Sequence, residues 1–351
     1  MKQYTHAHFI LRCIELAKNG GKKVSPNPMV GAVLVENNEI LGEGFHKEYG
    51  KAHAEVNAFS DVKIENSERI KNATLYVSLE PCNLCGKTPP CTQLIIDKKI
   101  KKVVISALDL TPEVNGNGVR LLEEHNIEII QNIIPDKGKN LVKQRSIFVK
   151  RHRPYTILKL VLSKDGFYAS DKPINKWLSS PVTSRLTHKW RFESDAILIG
   201  TNTAIIDNPS LDTRFFPGKN PRKFVLDCNH VLPEKLSLFQ EPEIANRITN
   251  KKKYNHDIVI GLDKHGKISL KELSNYLYHQ NIGRLLVEGG GILIQSYLET
   301  DLWDELRIIR TEKYLFKGKK IPLDNLIKSE SFLFGKDLIE IYLKNNLGEV
   351  N

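Results

Sequence analysis

Five side chains in the first third of the chain could build a metal site: His53, Glu55, Cys82, Cys85 and Cys91. One imidazole nitrogen and two thiolates form a zinc-suited donor set, and three protein ligands leave a fourth tetrahedral position for water. Zinc brings the pKa of such a water to about 7, so a nucleophile becomes available at neutral pH. A carboxylate two residues from the ligand histidine can then carry protons without binding the metal. Taken singly, His53 reads as a surface residue at a helix start and Cys82 as a small buried hydrophobe. Only the combination of His-x-Glu and Glu-Pro-Cys, each ahead of a helical pattern, speaks for chemistry.

The surroundings of each cysteine decide which one completes the set. Cys82 and Cys85 have the short C-x-x-C spacing, but Cys85 is followed by Gly86-Lys-Thr-Pro-Pro90, which cannot be a regular helix interior. Cys91 follows two prolines of the kind a first helical turn tolerates, and Leu94, Ile95 and Ile100 beyond it supply a buried face. The dipole at a helix N-terminus favours thiolate. His53, Cys82 and Cys91 are therefore the expected ligands, with Glu55 as proton carrier.

The second half offers a weaker signal. Arg284-Leu-Leu-Val-Glu-Gly-Gly-Gly-Ile-Leu293 sets three glycines between a buried strand and a helix, where free N–H groups favour phosphate. It is not a G-x-G-x-x-G turn, so a Rossmann dinucleotide site is not supported. A strand–glycine–helix turn alone is ordinary structural punctuation.

These residues need elements to hold them. Ala7, Ile10, Ile14 and Ala17 mark one helical face, Val30–Val35 reads as a buried strand, and Ile40–Phe45 pairs with it through the Asn37-Asn38 turn. A helix from His53, strand 73–79, helix from Cys91, strand 102–107, helix 119–125 and strand 127–130 follow, implying an α/β sandwich with a largely parallel sheet. The basic stretch Lys150-Arg-His-Arg-Pro154 is the expected boundary, giving domains 1–149 and 150–351. Beyond it, strands are expected at 156–163, 195–200, 223–227, 257–260, 284–288 and 338–343. Helices are expected near 180–192, 269–279 and 290–299, and 230–256 reads as polar surface loop.

The chain's 351 residues suit two domains, and 40% hydrophobic content argues against wholesale disorder. No apolar run approaches the roughly 20 residues of a membrane span, and the amphipathic start is not a signal peptide. Five cysteines, three of them between 82 and 91, do not form a secreted disulfide framework, so a cytoplasmic, reducing location is expected. The net charge of +11 is divided as +4 over residues 1–150 and +7 over the rest. Phosphorylated small molecules are compatible with that balance, and it has no concentrated basic tail.

Ser25-Pro-Asn-Pro-Met-Val-Gly31, His53-Ala-Glu55 and Leu79-Glu-Pro-Cys82 through Gly86-Lys-Thr-Pro-Pro-Cys91 closely resemble the bifunctional deaminase/reductase family of riboflavin biosynthesis. The H-x-E and P-C elements are shared with zinc nucleobase deaminases generally. The resemblance implies a cytidine-deaminase-like α/β/α domain in which Cys82 and Cys91 bind Zn2+. Asn27, His46 and Asp109 would contact the pyrimidine or ribose, and Lys87 and Thr88 the phosphate. Gly31 is expected to permit a close backbone or substrate approach. Where the family usually carries Ser or Asn then His after the first cysteine, this chain has Asn83-Leu84-Cys85, and Leu108-Asp-Leu-Thr-Pro112 replaces a more usual Asp-Pro-Asn-Pro.

Lys159-Leu-Val-Leu-Ser-Lys-Asp-Gly166, Trp177-Leu-Ser-Ser-Pro181, Gly200-Thr-Asn-Thr203 and Asp207-Asn-Pro-Ser-Leu-Asp-Thr-Arg214 resemble the family's reductase domain, an α/β fold like dihydrofolate reductase. By that resemblance Val161, Ser163, Trp177, Thr203, Asp207, Gly290 and Gly291 line an NADPH site. Asn175, Arg191, Leu211, Arg214 and Glu288 would hold the substrate, and two arginines suit a dianionic phosphate because each can donate parallel hydrogen bonds. Ser163-Lys-Asp-Gly-Phe167 and Pro173–Trp177 depart from the family pattern, and Asn175 stands where a serine is usual.

The family reading implies deamination of diaminohydroxyphosphoribosylaminopyrimidine, reduction of its ribosyl chain to ribityl, and a homodimer or higher homo-oligomer. No nucleic-acid partner is expected. Two other readings fit parts of the sequence. One is a deaminase of another nucleotide or of tRNA, without a working reductase, which would want a helix directly after Cys85. The other is a zinc-stabilised nucleic-acid-binding protein, which would want basic and aromatic residues interleaved along one face.

Overall fold

A computed structural model describes residues 4–86, 88–111, 114–171, 178–240, 243–323 and 326–344. It divides into two compact units, Met1–His152 and Arg153–Asn351. Among the described residues no helix is long and apolar enough to cross a membrane.

In the first unit α1 (His6–Lys18) precedes the hairpin β1 (Gly31–Glu36) and β2 (Glu39–Phe45). Then come α2 (Ala54–Asp61), β3 (Thr74–Leu79), α3 (Cys91–Asp97), β4 (Lys102–Ala107), α4 (Asn117–Glu124), β5 (Glu128–Ile130) and α5 (Pro135–Arg151). The sheet order is β2-β1-β3-β4-β5. Asn37 and Asn38 both have positive φ, 50° and 66°, the conformation of a two-residue hairpin turn.

The largely parallel sheet expected here is found, with one strand reversed. β3, β4 and β5 are parallel, whereas β1 runs antiparallel to both β2 and β3. The tight turn forces the first reversal, and the α2 crossover carries the chain past β1 to a strand running as β2 does. Ala32 and Leu34 pack with Ala54, Ala58, Ile95 and Leu122 on one face of the sheet. Val33 and Val35 pack with Phe9, Ile10, Ile14, Leu141 and Val142 on the other, so the unit is an α/β/α sandwich. Gly31 is where α1 crosses closest: a Cβ there would lie 2.0 Å from the Cys13 carbonyl oxygen, so the close approach is backbone to backbone.

The second unit contains β6 (Tyr155–Leu162), β7 (Ala169–Ser170), α6 (Pro181–Phe192), β8 (Ala196–Ile199), α7 (Thr201–Asp207), β9 (Arg222–Leu226), β10 (Asn246–Thr249) and β11 (Asp257–Val259). It continues with α8 (Leu270–His279), β12 (Arg284–Glu288), α9 (Gly291–Leu298), β13 (Glu305–Arg310), β14 (Gly318–Lys319), β15 (Ile327–Phe334) and β16 (Asp337–Leu343). The main sheet runs β11-β10-β9-β8-β12-β6-β13-β16-β15, parallel from β11 to β13 and antiparallel through the closing hairpin. Leu158, Leu198, Phe224, Leu285, Leu306, Ile294 and Tyr297 lie in its core.

The loop expected over 230–256 is corrected, because it contains the internal strand β10. Arg247, at the centre of β10, is buried between the rings of Phe239 and Tyr254 and pairs with Asp227 and Glu234. Its charge made a core strand look like surface.

Candidate active sites

The first site gathers at the C-terminal ends of the parallel strands. β3 delivers Glu80, Pro81 and Cys82; His53 is the N-cap residue of α2, and Glu55 lies in that helix's first turn. α3 opens at Cys91 with Pro90 as its N-cap, as the proline pattern predicts. The backbone N–H of Cys91 points at the Cys82 sulfur, 3.4 Å away, and the Thr92 N–H donates to the Cys82 carbonyl.

The His53 Nδ1 atom lies 3.5 Å from Cys82 Sγ and 3.3 Å from Cys91 Sγ. These three donor atoms fall within 4.8 Å of one another. Tetrahedral zinc, with Zn–N near 2.0 Å and Zn–S near 2.3 Å, would set nitrogen and sulfur about 3.5 Å apart, so the donor set fits that ion. Cys85 is exposed and stands outside the cluster, and Leu84 faces outward too.

The Cys82 thiol is drawn well below its ordinary value, chiefly by the hydrogen bond from the Cys91 thiol and by His53, against burial. Cys91 is pushed up by that same bond and by burial. Glu55 is buried, and burial followed by the neighbouring Cys82 charge raises its carboxyl, the direction that suits a group meant to hold a proton part of the time.

Thr88, expected at the phosphate, has its hydroxyl 3.4 Å from His53 Nε2. His46 is buried; its Nδ1–H donates to the Ala52 carbonyl, which fixes the tautomer and leaves Nε2 to accept from Asn27 Nδ2 at 3.3 Å. The His46 ring meets His53 edge-on at 5.4 Å, so Asn27 and His46 border the His53–Cys82–Cys91 cluster. Asp109 accepts from the Thr111 N–H in a tight turn, and its own N–H donates to Glu80. Lys87 lies outside the described residues.

In the second unit β12 ends on Glu288, and the glycine turn leads into α9. Arg191, in the last turn of α6, donates to both Glu288 oxygens, at 2.7 and 2.8 Å. Lys159 on β6 reaches the same carboxylate at 3.4 Å. Arg214 is exposed and pairs with Asp212 at 2.9 and 3.0 Å. The two arginine forks expected to meet phosphate therefore face carboxylates. Leu211 is buried with φ of 54°, a left-handed conformation uncommon for leucine.

The Gly290 N–H donates to Thr203 Oγ1 at 2.8 Å, bringing those two expected residues together. A Cβ on Gly290 would meet only that hydroxyl within 4 Å, leaving the open cradle a cofactor phosphate needs, whereas Gly291 is covered by the Tyr168 ring. Asp207 ends α7, and Val161 lies near the end of β6. The Ser163 hydroxyl donates to Asp165 and accepts from the Phe167 N–H. Asn175 and Trp177 lie outside the described residues.

Sequence reasoning missed Glu80, Lys159 and His188. Glu80 and Lys159 sit inside recognised motifs without a stated role. His188 lies one turn before Arg191 on α6, buried, with Nδ1 3.7 Å from Asp212.

Residues 3–107 match the cytidine and deoxycytidylate deaminase zinc-binding region, and residues 154–318 match the RibD C-terminal domain. Riboflavin biosynthesis protein RibD of Aquifex aeolicus is 34% identical over 97% of this chain and 96% of its own length. The Escherichia coli RibD is 32% identical over 88% of each. The crystal structure of a diaminohydroxyphosphoribosylaminopyrimidine deaminase/5-amino-6-(5-phosphoribosylamino)uracil reductase from Thermotoga maritima superposes with a TM-score of 0.86 at 32% identity, covering 96% of this chain and 98% of that one. Acinetobacter baumannii RibD gives 0.83 at 28% identity with the same coverage.

Fold and sites together define a zinc-dependent deaminase joined in one chain to an NADPH-dependent, dihydrofolate-reductase-like reductase. The chain belongs to the RibD family and is a bifunctional enzyme of riboflavin biosynthesis.

Proposed function

We propose that residues 1–149 deaminate diaminohydroxyphosphoribosylaminopyrimidine and that residues 150–351 then reduce the ribosyl chain of the product to ribityl. The observation that carries this reading is the convergence of His53 Nδ1, Cys82 Sγ and Cys91 Sγ beside the buried Glu55 carboxyl. His53, Cys82 and Cys91 would hold zinc, which would supply Lewis acidity that makes a water nucleophilic near neutral pH. Glu55 would take up a proton from the attacking water and return protons to the ring and the amine, so that water is consumed and ammonia leaves. Asn27 and His46, locked in one tautomer, orient the pyrimidine; Asp109 contacts its ribose, and Lys87 and Thr88 face the phosphate.

Bound NADPH supplies the hydride of the second reaction. Thr203, Asp207, Gly290 and Gly291 hold it, with Val161, Ser163 and Trp177 alongside. Arg191 and Glu288 act as a fixed pair toward the substrate with Asn175 and Leu211, and Arg214 exchanges Asp212 for the ribose phosphate. A homodimer or higher homo-oligomer in the cytoplasm completes the reading. Its test follows ammonia release and NADPH oxidation together, using zinc-loaded chain and the diaminopyrimidine phosphate. Both signals are expected; ammonia alone would remove the reductase assignment, and neither would remove the whole reading.

A further inference from the structure

We propose that Glu80 is a positioning residue of the deaminase, its carboxylate tying the Asp109 turn and the head of α4 to the strand end that carries Cys82. The inference rests on the reading of Asp109 as a substrate contact. Glu80 is 3% exposed, and four backbone N–H groups converge on it. Oε2 accepts from Asp109 at 3.2 Å and Gly116 at 3.0 Å; Oε1 accepts from Gly118 at 2.9 Å and Val119 at 3.3 Å.

Helix α4 has no side-chain cap of its own, because its N-cap residue is Gly116. Glu80 supplies that cap from a distant part of the chain and satisfies donors that a helix start otherwise leaves to water. Meanwhile the Glu80 N–H donates to the Ala107 carbonyl at 2.9 Å, so the residue bridges the ends of two neighbouring parallel strands. One strand leads on to Cys82 and the other to Asp109. Gly118 makes the reach possible: a Cβ there would lie 2.2 Å from the Pro81 carbonyl oxygen and 3.1 Å from Glu80 Oε1.

A glutamine keeps the shape of Glu80 but replaces one accepting oxygen with an NH2 group, so either the Asp109 and Gly116 bonds or the Gly118 and Val119 bonds are lost. In full-length, zinc-loaded Glu80→Gln, the KM for the diaminopyrimidine phosphate is expected to rise about tenfold or more with kcat held within about threefold. Zinc content should stay equal to the parent's, and amide exchange should accelerate either at Asp109 and Gly116 or at Gly118 and Val119, whichever pair faces the new NH2 group. Gly118→Ala, which pushes α4 away and leaves the Glu80 charge in place, should shift KM in the same direction.

An unchanged KM in either folded variant overturns the proposal. So does a loss of zinc or of kcat in proportion, since that would make Glu80 a purely structural group. A parent chain that fails to deaminate the compound overturns the deaminase reading first, and the positioning role falls with it.

Discussion

Replacing Glu55 by glutamine keeps the side chain's shape and removes its ability to take up and release a proton. Deamination should fall by about 10²–10⁴-fold in Glu55→Gln, while bound zinc and reduction of the already deaminated pyrimidine are retained. Coupled ammonia and zinc assays check this. Glu288 makes a different claim. Burial pushes its carboxyl upward, but the charges of Arg191 and Lys159 and their hydrogen bonds outweigh that and bring it to about 2 from an ordinary 4.5. A depressed carboxyl contributes stability above its unfolded pKa and loses it as pH falls through the folded one. The advantage of the parent over Glu288→Gln should therefore be largest above about pH 4.5 and shrink as pH drops from there toward 2, as read from urea midpoints. Part of this was legible in the sequence. Cys91 could be told from Cys85 because prolines write helix starts into the chain, whereas Glu80 has partners that are all backbone N–H groups, and those carry no sequence signal.

Elements were readable where an apolar stripe survived. β1, β4 and β12 are runs of Val, Leu and Ile buried on both faces, and α1 shows its stripe at Ile10, Ile14 and Ala17. Three missed elements, β13, β15 and α5, carry charges that broke the apolar pattern. β13 interleaves Leu306 and Ile308 with Glu305 and Arg307, which pair with each other at 2.6 Å. β15 is an edge strand exposed along most of its length, so no apolar alternation was required of it. α5 surrounds its buried Leu141, Val142, Ile147 and Phe148 with lysines, which hid the helix. The packing of α1 on β1 depends on a missing side chain at Gly31. Gly31→Ala should lower stability by about 1–3 kcal/mol, through the overpacking a Cβ would cause against Cys13, measured as a shift in denaturation midpoint.

Across the molecule, each unit has its own core, and all three tryptophans, Trp177, Trp190 and Trp303, belong to the second. Their emission therefore reports the reductase half alone. Stripping zinc with a chelator should lower the unfolding midpoint of the deaminase half, seen in far-ultraviolet circular dichroism, and leave the tryptophan-monitored transition unmoved. If both transitions move together, the halves do not unfold independently. His53, Cys82 and Cys91 also lie 29 and 38 residues apart in sequence, on separate strand–helix crossovers. An ion held there is a clasp on the chain as well as a reagent, and without it those crossovers open more often to proteases.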